Sequence, residues 1–250
     1  KIGLPLAVQF ASKGHTVVGA DINADTVELI NAGREPFPNE AHLAEYLPIE
    51  VFAGRLRAST DTSGAVRESD AVVVVVPLLV DDEARPDFHA MDAATSDVAE
   101  GLQPGALVSY ETTLPVGTVR NRLVPLLEEG SGLVAGRDFF VVFSPERVLT
   151  GRVFADLRRY PKLVGGIDVE SEERGIAFYR EVLDFDYRPD LTHANGVWGM
   201  GSSEAAEMAK LAETTYRDVN IGLANQFALY AEEKDIDIRL VIEACTSQPY

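Results

Sequence analysis

Short apolar runs that alternate with helical stretches restrict the fold of this chain more than any other feature of its sequence. Four of these runs, "HTVVGAD", "AVVVVVP", "GALVSYET" and "DFFVVFSPE", are rich in β-branched residues and end on a polar or turn residue. Such alternation predicts a doubly wound α/β fold with a parallel sheet. In these sheets ligands bind outside the carboxyl ends of the strands. The candidate site residues therefore follow the runs: Asp21, Pro77, Glu111 to Thr113, and Ser144 to Glu146.

The pattern changes after "PKLVGG", where helical periodicity takes over. One helical segment is predicted over residues 170–183, a long one over residues 203–234, and another over residues 238–245. We expect a nucleotide-binding domain over residues 1–195 and a helical central region over residues 196–250.

Composition excludes several classes of function. The net charge of -18 and the pI near 4.6 disfavour binding to nucleic acid or to an anionic membrane. The longest strongly apolar run, residues 71–80, is too short to cross a bilayer. The one cysteine excludes an intramolecular disulfide and favours a reducing, cytoplasmic setting. The four histidines lack metal-ligand spacing, so no metal site is expected.

The first 21 residues are consistent with the end of a dinucleotide-binding loop. Ile2 and Gly3 precede "LPLAVQFASKGH", a predicted helix, and a strand then ends on Asp21. In a dinucleotide-binding unit a glycine lets the backbone approach the pyrophosphate, and an acid at this spacing accepts hydrogen bonds from the ribose hydroxyls. Such an acid favours NAD over NADP. A turn residue or a helix N-cap would explain Asp21 equally well.

The segment "EMAKLAETTYRDVN" places polar and charged residues within the apolar periodicity of the long predicted helix. At about 100° per residue, Lys210, Thr214 and Arg217 share one face. A solvated helix face gives the same pattern, so this segment alone leaves its role open.

Six segments in order carry a resemblance to a known family. They are "KIGLPLAVQFASKGHTVVGADIN", "VVVVVP" with "PDF" after it, "ETTLPVGTVRN", "FSPERVLTGR", "PKLVGG" and "EMAKLAETTYRDVNIGLANQFALYAEEKDIDIRLVIEA". The chain resembles the UDP-glucose/GDP-mannose dehydrogenase family. The resemblance implies a Rossmann-like NAD domain, a central helical region that forms a homodimer through its long helix, and a UDP-sugar-binding domain that this chain lacks. It also implies NAD-dependent oxidation of a sugar hydroxymethyl group to a carboxylate, in polysaccharide biosynthesis.

By this resemblance four residues are catalytic. Lys210 would stabilise negative charge on the substrate oxygen, and Thr214 stands where the family usually has an asparagine that donates to the same oxygen. Glu146 would handle a proton or position water, and Thr113 would lie beside the nicotinamide. Pro77, Thr113 and Glu146 are also expected near the cofactor, together with Ile2, Gly3 and Asp21.

The resemblance also bears on the substrate. Arg147 and Val148 replace the Phe-Leu pair of UDP-glucose-specific members and resemble the branch that oxidises UDP-N-acetylmannosamine or UDP-N-acetylglucosamine. Lys210, Arg217 and Asn220 are further candidates for substrate binding. A UDP-glucose 6-dehydrogenase remains an alternative. Another is a degenerate homologue that binds or dimerises without turnover, because Thr214 and Leu78 depart from the family pattern.

The family reaction passes through a thioester on a cysteine. Cys245 lies outside the family's Gly-x-Cys context and is expected to be a small buried core residue. The nucleophile is therefore expected beyond Tyr250.

Overall fold

The computed structural model describes residues 1–247, which form two compact units. The first unit is Lys1–Met208 and the second begins at Ala209. The strands are β1 Val17–Ala20, β2 Leu56–Ser59, β3 Ala71–Val74, β4 Leu79–Val80, β5 Pro86–Asp87, β6 Leu107–Tyr110, β7 Phe140–Phe143, β8 Lys162–Gly166 and β9 Val197–Gly199. The helices are α1 Gly3–Ser12, α2 Ala24–Asn31, α3 Leu43–Phe52, α4 Thr62–Arg67, α5 His89–Gly101, α6 Val124–Ser131, α7 Val153–Arg159, α8 Val169–Val182, α9 Ser203–Glu233 and α10 Ile238–Thr246. A π-helical turn, Val119–Leu123, precedes α6.

The main sheet of the first unit has five strands in the order β3-β6-β7-β8-β9. All neighbouring pairs are parallel except β7 and β8, which are antiparallel. A separate parallel pair joins β1 to β2, and β4 and β5 form a short antiparallel hairpin. The predicted α/β architecture is confirmed, and the four apolar runs contain β1, β3, β6 and β7.

The register of the sheet brings four strand ends to one edge, which we call the carboxyl edge. Val74, Tyr110 and Phe143 are aligned at the ends of β3, β6 and β7. Because β8 runs antiparallel to β7, with Phe143 opposite Gly165, its first residue lies beyond the end of β7. Lys162 is therefore at the carboxyl edge, opposite Glu146.

Both faces of the main sheet are covered. On one face β6 and β7 pack with α5 and α6 in a cluster that includes Tyr110 and Phe143, and on the other they pack with α1, α7 and α8 in a cluster that includes Tyr179. All residues of β6 and β7 are buried. This burial on two faces explains why the two strands read as continuous apolar runs.

The described part of the second unit consists of the rest of α9 and of α10. Many of its large apolar side chains are exposed; on α9 they include Tyr216, Val219, Leu223, Phe227 and Tyr230. Cys245 is exposed as well. The expectation that Cys245 is a buried core residue was therefore wrong, because none of the residues of α10 is buried.

Gly165 allows the loop before α9 to approach β8. A Cβ atom on Gly165 would overlap the carbonyl group of Ser202 and press on the side chain of Ala206. Only a residue without a side chain lets the start of α9 lie this close to the sheet.

We expect Gly165→Ala to lower the free energy of unfolding by about 1–3 kcal/mol, since main-chain atoms would have to move. Gly19→Ala, in β1, is the matched control because the nearest heavy atom to its Cβ is at 3.9 Å. Denaturant unfolding of both variants would measure the difference. Equal stability of the two would contradict this reading of the packing.

Candidate active site at the carboxyl edge

Main-chain hydrogen bonds join the segments that follow β3, β6 and β7. The amide of Glu111 donates to the carbonyl of Val74 at 3.0 Å, and the amide of Glu146 donates to the carbonyl of Glu111 at 3.1 Å. The hydroxyl of Thr112 donates to the carbonyl of Val76 at 2.6 Å. These bonds bring the neighbourhoods of three predicted site residues, Pro77, Thr113 and Glu146, to one edge of the sheet. Pro77 and Thr113 are exposed there, and Glu146 is mostly buried, with 11 % of its side chain exposed.

A buried lysine lies between two carboxylates at this edge. The Nζ of Lys162 is 2.9 Å from Oε2 of Glu146 and 3.1 Å from Oε1 of Glu111. It also lies 4.7 Å from the ring centre of Tyr179. Only 5 % of the Lys162 side chain and none of the Glu111 side chain is exposed. We call Glu111, Lys162 and Glu146 the carboxylate–lysine cluster.

Glu111 has further partners behind the cluster. The Tyr179 hydroxyl donates to its Oε1 at 2.6 Å, and the Ser109 hydroxyl is 2.7 Å from the same phenol oxygen. Its other oxygen, Oε2, is buried and has no hydrogen-bond partner in the structure. A buried acceptor without a partner is costly when it is charged, and protonation removes that cost.

The electrostatics of the cluster follow from burial and proximity. Burial raises the pKa of Glu111 to about 7; Lys162 opposes this rise, and the negative charge of Glu146 adds to it. Burial alone would lower the pKa of Lys162, but the two carboxylates together raise it above its ordinary value. The ammonium is therefore held charged, while Glu111 can gain or lose a proton near neutral pH.

Arg147 and Val148, the predicted substrate residues after Glu146, are both half-buried. The amide of Arg147 donates to Oε1 of Glu146 at 2.7 Å, and its guanidinium donates to the carbonyl of Pro161 at 3.3 Å. Val148 packs against the apolar cluster that contains Tyr179. Arg147 therefore contacts Glu146 directly, whereas Val148 packs against the apolar core.

The loop that carries Thr113 is held by a second buried carboxylate. Glu207, in the first turns of α9, is fully buried and accepts hydrogen bonds from the amides of Gly117 and Val119. These amides lie just before and at the first residue of the π-helical turn, where backbone donors lack helical partners. Glu207 therefore has a structural role in positioning the loop.

The residues predicted to bind NAD fit a dinucleotide. A Cβ on Gly3 would lie 2.7 Å from a methyl group of Val75, so the start of α1 requires a glycine. The first turn of α1 has no side-chain cap, and Ile2 stands at its N-cap position. Such a helix start favours a phosphate group. Asp21 is exposed directly after β1.

Of the two alternative roles of Asp21, helix N-cap and turn residue, the structure supports the turn residue. Asn23, not Asp21, caps α2. Asp21 accepts the amide of Asn23 through Oδ1 at 2.9 Å, as a turn residue does. This turn fixes the carboxylate at the end of β1. An exposed carboxylate at that position can accept hydrogen bonds from ribose hydroxyl groups.

The remaining predicted residues lie on α9 in the second unit. The hydroxyl of Thr214 donates to the carbonyl of Lys210, and the side-chain amide of Asn220 donates to the carbonyl of Tyr216 at 2.7 Å. Thr214 and Arg217 line one shallow depression with Thr215, Asp218 and Ile221. In this conformation the Thr214 hydroxyl is bonded to the helix backbone, so it would have to rotate to serve a substrate.

Sequence reasoning missed the partners of Glu146. The sequence pattern identifies Glu111 only as a strand ending and indicates no role for Lys162 or Tyr179. A lysine at the start of an otherwise apolar strand, "KLVGG", was the available signal, since a buried charge requires a partner. The identity of that partner depends on the antiparallel register of β8, which periodicity does not reveal.

Neither a metal site nor a membrane-spanning helix is present among residues 1–247. No group of three or more His, Cys, Asp or Glu side chains in this range could hold a metal ion. No helix in the same range is long and apolar enough to cross a membrane.

Comparison with known protein families shows the family to which the chain belongs. Residues 1–183 match the NAD binding domain of the UDP-glucose/GDP-mannose dehydrogenase family, and residues 204–250 match its central domain. The chain belongs to the UDP-glucose/GDP-mannose dehydrogenase family. NAD is the cofactor of the matched first domain of this family.

Several members of the UDP-glucose/GDP-mannose dehydrogenase family resemble the chain over almost its whole length. It is 36 % identical to the UDP-N-acetyl-D-mannosamine dehydrogenase of Pyrococcus horikoshii, over 99 % of the chain and 56 % of that protein. It is 33 % identical to the enzyme of the same name from Escherichia coli K12, over 99 % of the chain and 57 % of that protein. The chain thus spans about half the length of these curated relatives.

Solved structures of family members give the same result. The P. horikoshii UDP-D-ManNAc dehydrogenase superposes with a TM-score of 0.89 at 33 % identity, over 99 % of this chain and 56 % of the other. A ternary complex of GDP-mannose dehydrogenase from Pseudomonas aeruginosa gives 0.88 at 25 % identity, over 99 % and 55 %. The fold is therefore that of the nucleotide-sugar dehydrogenases.

The raised pKa of Glu111 makes a prediction for stability. Its folded pKa of about 7 exceeds its ordinary value of 4.5, so its favourable contribution is complete below pH 4.5 and is lost as the pH rises through 7. We therefore expect the melting temperature of Glu111→Gln minus that of the wild type to become more positive between pH 5 and pH 8. Over this range the free energy of unfolding of the variant, relative to that of the wild type, should increase by an amount on the order of 3 kcal/mol.

Thermal unfolding of the two proteins across this pH range measures the effect. Glu129→Gln, at an exposed position, controls for the loss of one negative charge. A difference between Glu111→Gln and the wild type that stays constant with pH would contradict the prediction.

Proposed function

We propose that the protein is an NAD-dependent dehydrogenase that oxidises the C6 hydroxymethyl group of a UDP-N-acetylhexosamine to a carboxylate. The observation that carries this proposal is the position of Glu146, a carboxylate held by Lys162 at the carboxyl edge of an NAD-binding sheet. This edge is where ligands of doubly wound sheets bind.

The proposed overall reaction converts one hydroxymethyl group, two NAD⁺ and one water into one carboxylate, two NADH and three protons. NAD, when bound, accepts a hydride in each of the two oxidations. Glu146 takes up a proton or positions the hydrolytic water, because its carboxylate is an acceptor at the reacting edge. Thr113 is exposed at the same edge, and its hydroxyl is proposed to donate a hydrogen bond to the substrate.

Lys210 is proposed to stabilise the negative charge that develops on the substrate oxygen, and Arg217 and Asn220 to contact the sugar nucleotide. The aldehyde formed first is trapped by a cysteine thiolate as a thiohemiacetal and is then oxidised to a thioester, which water hydrolyses. Following the family resemblance, this cysteine is expected in a Gly-x-Cys segment, a context that Cys245 does not have.

UDP-N-acetylmannosamine is the favoured substrate within this class. Relatives named UDP-N-acetyl-D-mannosamine dehydrogenase match 99 % of the chain at 33–36 % identity. Arg147, whose amide binds Glu146, supports the same branch, because it replaces the phenylalanine of UDP-glucose-specific members. A reducing, cytoplasmic location suits a mechanism that requires a free thiolate.

The protein from the complete gene is expected to form two NADH for each UDP-N-acetylmannosamine consumed. NADH is followed by absorbance and the sugar nucleotide by chromatography, with UDP-N-acetylglucosamine and UDP-glucose compared in parallel. A ratio of one NADH per sugar, or faster oxidation of UDP-glucose, would contradict the proposal.

Thr214 separates this function from that of a degenerate homologue. The hydrogen bond from Thr214 to the carbonyl of Lys210 favours the degenerate alternative, because it occupies the donor that the reaction needs. If the wild type binds NAD but forms no NADH, and Thr214→Asn does not restore turnover, the degenerate homologue is the better account.

We also propose that the protein forms a homodimer through α9. Val219, Leu223, Phe227 and Tyr230 are each at least 50 % exposed, and burying such side chains is strongly favourable.

Replacing Phe227 by Asp is expected to shift the full-length protein toward the monomer, because the buried face would then contain an unpaired charge. Light scattering after size-exclusion chromatography measures the mass. Asn225→Asp adds the same charge at another exposed position of α9 and should have a smaller effect. A wild-type monomer, or an unchanged mass for Phe227→Asp, would overturn the dimer proposal.

A further inference from the structure

The carboxylate–lysine cluster contains more charge than pairing requires. One ammonium group, that of Lys162, is shared by two carboxylates at 2.9 and 3.1 Å. With all three groups ionised the cluster is left with one net negative charge in a largely dry site. A single buried pair would have satisfied Lys162, so the second carboxylate needs a reason.

The two carboxylates differ in their surroundings. Glu146 is 11 % exposed and lies on the reacting side, whereas Glu111 is fully buried behind Lys162. Glu111 is fixed by the Tyr179 hydroxyl at 2.6 Å, and its Oε2 has no hydrogen-bond partner. Glu111 therefore holds the ammonium from the inner side, while Glu146 binds it from the outer side.

The position of Lys162 also restricts Glu146. Main-chain bonds place Lys162 firmly, since its amide donates to the carbonyl of Gly196 at 3.0 Å within the pairing of β8 and β9. The ammonium binds Oε2 of Glu146, and the amide of Arg147 binds Oε1. Both oxygens of the carboxylate are thereby oriented, which is what a proton-handling group requires.

We propose that Lys162 is a positioning residue for Glu146 and that Glu111 shares the charge of Lys162, so that the cluster takes up or releases one proton as the reaction proceeds. This inference rests on the proposed function, since Glu146 is the group that acts on the substrate. The titratable groups that face Glu111 are Lys162 from β8, Glu146 from the segment after β7, and Tyr179 from α8.

The sharing of charge has a consequence with two opposite signs. Lys162 lowers the pKa of Glu111 and Glu146 raises it. Removing the ammonium by Lys162→Met must therefore raise the pKa of Glu111 further. Removing the charge of Glu146 by Glu146→Gln must lower it. A cluster with only a packing role would not shift the same group in opposite directions.

Infrared difference titration of the full-length protein tests the charge sharing without substrate. The C=O band of a protonated carboxyl group that titrates near pH 7, and that is absent in Glu111→Gln, identifies Glu111. We expect its midpoint to rise in Lys162→Met and to fall in Glu146→Gln. An unchanged midpoint in both variants would overturn the charge sharing.

Steady-state kinetics test the positioning role. We expect Lys162→Met to lower kcat by about 100-fold, the lower range for the loss of a positioned proton-handling group, while the KM for NAD stays unchanged. Lys162→Arg keeps the positive charge and should recover part of the loss. If Lys162→Met does not fold, Lys162→Arg and Glu111→Gln carry the test, and both should shift the pH profile of kcat.

The outcomes separate this inference from the proposed function. Wild-type kcat in Lys162→Met, or unshifted pH profiles in Lys162→Arg and Glu111→Gln, would overturn the positioning role while the enzyme still forms NADH. A wild type without NADH formation from any UDP-sugar would overturn the proposed function and, with it, the positioning role. The infrared titration would still decide whether Glu111 and Glu146 share Lys162.

Discussion

The antiparallel pairing of β8 with β7 is the constraint on which the candidate site depends. In an otherwise parallel sheet the first residue of a strand lies at the edge opposite the ligand site. Reversing β8 places Lys162 beyond the end of β7, where it meets Glu146 and Glu111. A charged side chain could enter this dry region only with such partners, because an unpaired buried ammonium would be too costly.

The same edge is supported from both sides of the sheet. Tyr179 of α8 reaches Glu111 from one face, and Glu207 of α9 holds the amides of Gly117 and Val119 near the Thr113 loop. Gly165 permits the close approach of β8 to the segment before α9. Glu146 therefore projects from a well-packed scaffold, which favours accurate placement of a proton-handling carboxylate.

Much of the fold could be predicted because its signals are local. The apolar runs contain the strands, and helical periodicity located α8, α9 and α10 to within one or two residues. Glu146 and Thr113 could be proposed because carboxyl ends of strands are ligand sites. Lys162 and Tyr179 could not, since their contacts with Glu111 join residues 51 and 68 positions apart in the chain. The hydrogen bond from Thr214 to the carbonyl of Lys210 could not be predicted either, because a residue pattern does not determine a side-chain rotamer.

The carboxylate–lysine cluster also limits how this sequence can change. Loss of Lys162 would leave two buried carboxylates without their shared counter-charge, a change that typically costs about 3–5 kcal/mol, comparable to much of a domain's stability. Replacing the whole set by apolar residues is far less costly, but it would remove Glu146. A relative that lacks the lysine at position 162 should therefore also have lost a carboxylate at position 111 or 146, whereas the loss of one carboxylate alone leaves a complete ion pair.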